Sequence, residues 1–434
     1  MKPGFWWGAA TSAFQIEGAR DSRGDSTWDQ FSETPGKIAG GHNGDHAARH
    51  FEFWRDDLDL LRLLGANSYR FSVSWPRIFP YGASEVSAGG LEFYDRLVDG
   101  LLERGIEPLV NLFHWEIPLW MKPEESIMNG EFAKHFGDYA GVIAGKLGDR
   151  VKHWMTMNEP NCLIGDGFGG TVHAPGYGWT GQKLMHAQAG LLDAHHLSSS
   201  AIRTCCSGAQ ITVALAGTVV CPVDPSAEES AYQATFALDC PTHWSFSLYA
   251  DPIYTGAFPA SFSQAFGFDP PQTRWSEESI PDFTTLNLYS GTRRTQEGPV
   301  SAVPGAPASA VEWPVVPEIL YWGPKFFERR YGKPILIGEN GLASMDWVTL
   351  DGDVPDHQRI DFIRRHLIEL KRAVDEGVNV IGYHHWSLLD NFEWQEGYRK
   401  RFGLVHVDYE TFKRTPKASF FELAKLIKSN GIGL

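Results

Sequence analysis

The sequence predicts an α/β fold, a (β/α)8 TIM barrel with extended loops after its strands, and three observations carry that prediction. Six times, an amphipathic segment ends at a glycine and a short apolar run begins within a few residues. The segments between these runs repeat apolar residues at helical spacing. No Gly/Ser-rich or Pro-rich tether divides the chain. The loose stretch at residues 298–310 is too short and isolated to join two domains, so residues 1–434 are expected to form one domain.

The first strand is expected within residues 5–15. Gly65 then precedes the run 68–73, Gly105 precedes 108–113, Gly148 precedes 153–157, Gly208 precedes 211–215, Gly332 precedes 335–338 and Gly377 precedes 380–383. A glycine that takes the left-handed conformation closes the last turn of a helix, so each junction reads as helix stop followed by strand. Residues 283–289 supply the remaining strand. Phe51, Trp54, Leu58 and Leu61 form one helical stripe, Phe132, Phe136, Tyr139 and Ile143 a second, and Ile363, Leu367, Leu370 and Val374 a third. The strands are mostly continuous apolar runs, as expected when both faces are covered. Alternating strands and helices require a parallel sheet with right-handed crossovers. An open doubly wound sheet is the alternative, and it requires a nucleotide site at its switch point. Gly176, Gly178 and Gly181 fit G-x-G-x-x-G but follow a loop rather than a strand.

Composition narrows the function. The chain has 38 Lys and Arg against 53 Asp and Glu, a net charge of −15, so it lacks the basic surface that displaces counterions from phosphates, and no nucleic-acid partner is expected. The longest charge-free apolar stretch, residues 211–223, falls short of the roughly 20 residues of a membrane span, so no membrane partner is expected either. No apolar segment of signal-peptide length opens the chain, and Met1 is read as the start of the fold. The cysteines, Cys162, Cys205, Cys206, Cys221 and Cys240, are odd in number and lack metal spacing, which fits a reducing, cytoplasmic compartment. His42, His46 and His50 recur every four residues without a following carboxylate motif and are read as packed or solvated. No metal and no cofactor is expected.

In such a barrel the reactive groups come from the carboxyl ends of the strands. The expected strand ends carry Gln15 and Glu17, Trp75, His114 and Trp115, Asn158 and Glu159, Asn287 and Tyr289, Glu339 and Asn340, and His385 and Trp386. Arg70 lies inside the second strand, where an unpaired charge is costly, and is expected to face a carboxylate at the barrel mouth. Glu159, in Thr156-Met157-Asn158-Glu159-Pro160, and Glu339, in Ile337-Gly338-Glu339-Asn340-Gly341, end the fourth and seventh strands and can meet across one pocket. Paired carboxyl groups whose pKa values are pushed apart suit glycosidic cleavage: one protonated acid for the leaving oxygen, one ionised group at the anomeric carbon. Each also has a purely structural reading, Asn158-Glu159-Pro160 as a helix start and Asn340-Gly341 as a hairpin turn. Indole rings favour the chemical reading. Trp115, Trp313, Trp386 and Trp394 stand at strand ends or in long loops, where they can stack on the C–H faces of a sugar while neighbouring amides and carboxyls take its hydroxyls.

At these residues the chain resembles glycoside hydrolase family 1, the β-glucosidase-like retaining glycosidases. The resemblance runs over nearly the whole chain, through Phe14-Gln15-Ile16-Glu17-Gly18, Tyr69-Arg70-Phe71-Ser72, Phe113-His114-Trp115, the Thr156 to Pro160 segment, His173-Ala174-Pro175-Gly176, Glu339-Asn340-Gly341, the stretch from Trp386 to Trp394, and Arg401-Phe402-Gly403-Leu404. It implies that Glu159 is the general acid/base and Glu339 the nucleophile, with Arg70, Asn287 and Tyr289 in support, Arg70 and Tyr289 holding Glu339 ionised and oriented. Gln15, His114, Trp115, Asn158, Glu393 and Trp394 would bind the terminal sugar, Trp386 would floor it, and Trp313 would border the leaving group. Glu393-Trp394 resembles the branch that handles free rather than 6-phosphorylated sugars. The implied substrate is a small β-linked glucoside, with galactosides and fucosides sharing most contacts. Transglycosylation, or a catalytically silent sugar-binding barrel, are the alternatives. Three positions depart from the family's usual residues: Gly338 for Thr, Leu288 for Tyr and Asn111 for Thr; loss of a hydroxyl at Gly338 is expected to loosen the nucleophile. The segment 116–129 also departs, which bears on the outer pocket. Retention requires carboxyl groups about 5 to 5.5 Å apart, and the charge of Glu339 is expected to raise the pKa of Glu159.

Overall fold

The computed structural model describes residues 1–238 and 244–434; Cys240 lies outside the described residues. Eight parallel strands close into a barrel: β1 (Trp6–Ala10), β2 (Ser68–Ser72), β3 (Glu107–Asn111), β4 (His153–Asn158), β5 (Gln210–Ala216), β6 (Thr284–Asn287), β7 (Ile335–Asn340) and β8 (Val380–Trp386). The ring closes where β1 pairs with β8, Ala10 lying opposite Trp386. Closure removes the open-sheet alternative. The helices that follow the strands are α1 (His50–Leu64), α2 (Ala88–Glu103), α3 (Glu131–Leu147), α4 (Gly181–Cys205), α5 (Phe246–Thr255), α6 (Ile319–Tyr331), α7 (His357–Asp375) and α8 (Ala418–Lys428).

Alternation along the strands sorts side chains into two layers. Tyr69, Phe71, Val110, Leu112, Val213, Leu215, Ile335 and Ile337 join the large apolar cluster between sheet and helices. Leu109, Met155, Ala214, Phe283 and Leu336, with Trp6 and Ile381, form a separate small cluster that fills one level of the barrel interior. The three expected helical stripes pack onto the sheet; Phe51 alone among their residues is only partly buried.

Five of the six punctuating glycines, Gly65, Gly105, Gly208, Gly332 and Gly377, take positive φ between 66° and 102°. Gly148 does not: its φ is −70°. A Cβ there would come within 2.4 Å of the Ala144 carbonyl oxygen and 2.9 Å of Cys206 Cβ, so this glycine is required by space rather than by handedness. The first strand also differs from expectation. It ends at Ala10, and Ala13–Ile16 forms a helical turn in which the Ser12 hydroxyl donates to Gln15 Oε1 at 2.6 Å. The histidine series 42, 46, 50 does not share a helix face. His42 lies in an irregular loop, whereas His50 opens α1 and bonds Asp57 at 2.8 Å.

The loop after β8 is anchored by buried charge. Lys417 Nζ donates to Asp390 Oδ1 at 2.7 Å and to Asp346 Oδ2 at 2.6 Å, and Arg401 donates to Asp390 Oδ2 at 2.6 Å. No helix among the described residues is long and apolar enough to cross a membrane. Because Lys417 is fully buried, Lys417→Met leaves two buried carboxylates short of a partner and is expected to lower the free energy of unfolding by about 3 kcal/mol in a urea titration. An unchanged midpoint would contradict a structural role for this cluster.

Candidate active site

The carboxyl ends of the strands surround a cavity of about 880 Å³. Its geometry begins with irregular pairing. Register shifts fall between Met155 and Asn158 on β4 and between Ile337 and Glu339 on β7, and such irregularities re-aim side chains at barrel rims. Glu159 follows β4 in the left-handed region, φ 43°, and caps the short helix Pro160–Cys162, with proline in the first helical position. The helix-start reading and the chemical reading of Asn158-Glu159-Pro160 therefore describe the same backbone. Asn340-Gly341 makes no hairpin: Asn340 completes β7 and donates to the Leu288 carbonyl at 2.7 Å.

Arg70 points inward from β2 and is wholly buried. Its guanidinium donates to Glu339 Oε1 and, through the other terminal nitrogen, to Asn158 Oδ1. Asn287 Nδ2 donates to the same Asn158 oxygen at 2.9 Å and to Glu159 Oε1 at 2.6 Å. A continuous chain, Glu339–Arg70–Asn158–Asn287–Glu159, thus ties the two carboxyl groups together. The second oxygen of Glu339 accepts from the Tyr289 hydroxyl. Asn158 Nδ2 and His114 Nε2 lie 3.1 Å apart, and the Trp115 indole N–H donates to the Asn158 carbonyl at 2.8 Å.

Burial first, and then the negative charge of Glu339, push Glu159 up to about 7. Burial and Glu339 act in the same order on Glu393, pushed up to about 8. Burial and the Arg70 charge hold His114 well below the usual histidine range, so its ring is neutral. Burial also raises Tyr289 well above the ordinary phenol range, which keeps the proton it donates to Glu339.

The aromatic residues enclose these groups. Trp386 lies nearly parallel to the His114 ring, centroids 5.8 Å apart, and Trp394 packs on Trp115 at 4.8 Å. Trp313 is 41% exposed and leans on Tyr289 at the cavity mouth. All of the expected site residues face the cavity except two. Arg70 stands behind Glu339. Gln15 stands behind Glu393, its amide nitrogen donating to Asn391 Oδ1 at 3.0 Å, the Phe392 carbonyl at 2.9 Å and Glu393 Oε2 at 3.5 Å. Four other strand-end residues turn away from the cavity. Glu17 takes Arg77 and Tyr94, Trp75 stacks on Tyr139 in the helical layer, Asn340 bonds Leu288, and His385 lies 3.3 Å from the Tyr383 hydroxyl. Segment 116–129 contributes nothing to the cavity wall. Its outer part comes instead from Val172, His173, Trp244 and Glu312, on loops without periodic signal, from Asp166 in the helical segment Leu163–Phe168, and from Cys162, three residues after Glu159 on one helical turn.

Gly338 is not a loose point. A Cβ on it would lie 2.3 Å from Thr285 Cγ2 and 2.9 Å from Asn287 Oδ1, so the β6 threonine occupies the space that a side chain before Glu339 would need. Thr285 is itself fixed through its hydroxyl, 2.9 Å from that of Thr212. Gly338→Ala is therefore expected to displace the β6–β7 contact and reduce kcat/KM for an aryl β-glycoside by about 10²-fold. Adding Thr285→Ser, which removes the methyl and keeps the hydroxyl, should recover most of the loss; equal losses in single and double variants would contradict the steric account.

Comparison with known proteins agrees with this architecture. Residues 1–432 match the family described as Glycosyl hydrolase family 1. The chain is 39% identical over 443 residues to 1,4-beta-D-glucan glucohydrolase of Thermotoga neapolitana, covering 99% of this chain and 98% of that protein. It is likewise 39% identical over 446 residues to Beta-glucosidase A of Thermotoga maritima, with the same coverage. A solved structure of a Thermotoga maritima β-glucosidase in complex with glucoimidazole superposes with a TM-score of 0.88 at 36% identity, over 99% of each chain. The chain belongs to glycosyl hydrolase family 1 and is a glycoside hydrolase.

Proposed function

We propose that the protein is an exo-acting, retaining β-glycosidase of the β-glucosidase type, working on small non-phosphorylated β-linked glucosides, with Glu339 as nucleophile and Glu159 as general acid/base. The observation that carries this reading is the hydrogen-bonded chain through Arg70, Asn158 and Asn287, which holds both carboxyl groups in one cavity. The names of the relatives, a glucan glucohydrolase and a β-glucosidase, support a glucoside, and the glucoimidazole held by the structural neighbour supports a small sugar-sized ligand.

In the first half-reaction a Glu339 oxygen bonds to the anomeric carbon as the bond to the leaving oxygen breaks, and the Glu159 proton passes to that oxygen. In the second, Glu159 takes a proton from water, whose oxygen bonds to the anomeric carbon and frees Glu339. Arg70 and Tyr289 both donate to Glu339 and orient it. His114, Asn158, Glu393 and Trp394 take the hydroxyls of the terminal sugar, with Gln15 behind Glu393. Trp386 forms the floor, Trp115 backs Trp394, and Trp313 borders the aglycone. A 6-phosphate would meet Glu393 and find the inner cation, Arg70, already engaged. The unit is one barrel domain spanning the chain. The free thiols Cys162, Cys205, Cys206 and Cys221 support a reducing, cytoplasmic setting.

Glu339→Ala should abolish hydrolysis of an aryl β-glucoside, and added azide should restore aglycone release with formation of the α-glycosyl azide. Full residual activity would remove Glu339 from the reaction. Glu159 must carry a proton to act on an unactivated leaving group, so kcat/KM should fall as pH rises through about 7; a profile flat from pH ~5 to ~9 would contradict that role.

A further inference from the structure

Glu159 has two side-chain hydrogen-bond donors on its carboxyl group. Asn287 serves Oε1; the donor on Oε2 is the Cys162 thiol, with Sγ 2.9 Å away. The contact is built into the backbone. Glu159 caps the turn Pro160–Cys162, the Cys162 N–H donates to the Glu159 carbonyl at 3.0 Å, and the i, i+3 spacing sets the thiol beside the carboxyl. Cys162 is buried and borders the cavity. Burial, followed by the charges of Glu159 and Asp166, raises its pKa well above the usual thiol range, so the sulfur keeps its hydrogen and acts as a neutral donor.

We propose that Cys162 is a positioning residue of the acid/base: its S–H holds Oε2 of Glu159 in place and favours the ionised carboxylate that must take a proton from water in the second half-reaction. This inference rests on the assignment of Glu159 made above. A thiol is a weak donor, suited to a carboxyl group that is protonated and deprotonated once in every turnover. An alcohol in its place would hold the ionised form more firmly, and a methyl would not hold it at all. The groups that face Glu159 from the other elements are Arg70 on β2, Asn287 and Tyr289 at β6, Glu339 on β7 and Glu393 after β8, with Asp166 beyond the thiol on the same loop. A donor to the charged form lowers a carboxyl pKa, so its removal moves the basic limb of kcat/KM upward.

The test compares C162A, C162V and C162S with the wild-type chain. C162V fills the site without a donor, and thermal unfolding of each variant reports folding separately. The expected result is a basic limb shifted up by about 0.5 pH unit in C162A and C162V, with C162S at or below the wild-type limb. With a dinitrophenyl β-glucoside, whose leaving group needs no acid, kcat at pH ~6 should fall in C162A and C162V by more than kcat/KM does. A limb common to all four proteins, or a uniform loss of rate in the three variants without any shift, overturns the inference. The E159Q enzyme separates this from the parent reading. If E159Q cleaves an unactivated alkyl β-glucoside at the wild-type rate, the acid/base assignment itself fails. If E159Q loses that rate while the Cys162 variants keep the wild-type limb, only the role of Cys162 falls.

Discussion

The site depends on one buried cation. Arg70 sits inside the barrel without access to water, and its desolvation is offset because Glu339, Asn158 and the Gly338 carbonyl all accept from it. Glu159, Glu339 and Glu393 are three of the carboxyl groups that line one cavity. Arg70 is paired directly with one of them, Glu339, and its charge also reaches Glu159. Burial, and then the same guanidinium, keep His114 neutral.

Around that pair the environment gives like groups unlike tasks. Glu339 touches the cation and a phenol; Glu159 touches an amide and a thiol and is linked to the cation through Asn158 and Asn287. Burial therefore dominates at Glu159 and raises its pKa, so that a single carboxyl group can lend a proton and take it back near neutral pH. The anchored charge cluster of Asp346, Asp390, Lys417 and Arg401 lies on the far side of the same loop that carries Glu393 and Trp394. Asp390 of that cluster stands three residues before Glu393 in the chain.

Much of this was legible in the sequence because it depends on local signals. Glycines at positive φ mark five of the helix stops, with strands beginning a few residues later, and apolar runs alone mark β1 and β6. Gly148 marks its junction for another reason, close packing, which no single-sequence pattern separates from handedness. Ser12 and Gln15, three apart, begin a helical turn that an apolar run concealed, and strand β1 is shorter than expected as a result. The pairing of Arg70 with a mouth carboxylate followed from the cost of burying a charge. What stayed hidden depends on contacts between strands or on loops: the space that Thr285 takes from Gly338, the outer wall built by Asp166, Trp244 and Glu312, and the outward turn of Glu17 and Trp75. Cys162 carried a signal, its i, i+3 relation to Glu159, but a proline between them masks the helix that makes the spacing meaningful.

The central claim is that Glu339, held by Arg70, forms the bond to the sugar. Incubation with a 2-deoxy-2-fluoro-β-glucosyl fluoride, followed by peptide mapping by mass spectrometry, examines that bond itself. The account predicts one added fluoroglucosyl group on the peptide that contains Glu339. Labelling of Glu159 or Glu393 instead, or release of fluoride with no covalent adduct at any time, would contradict it.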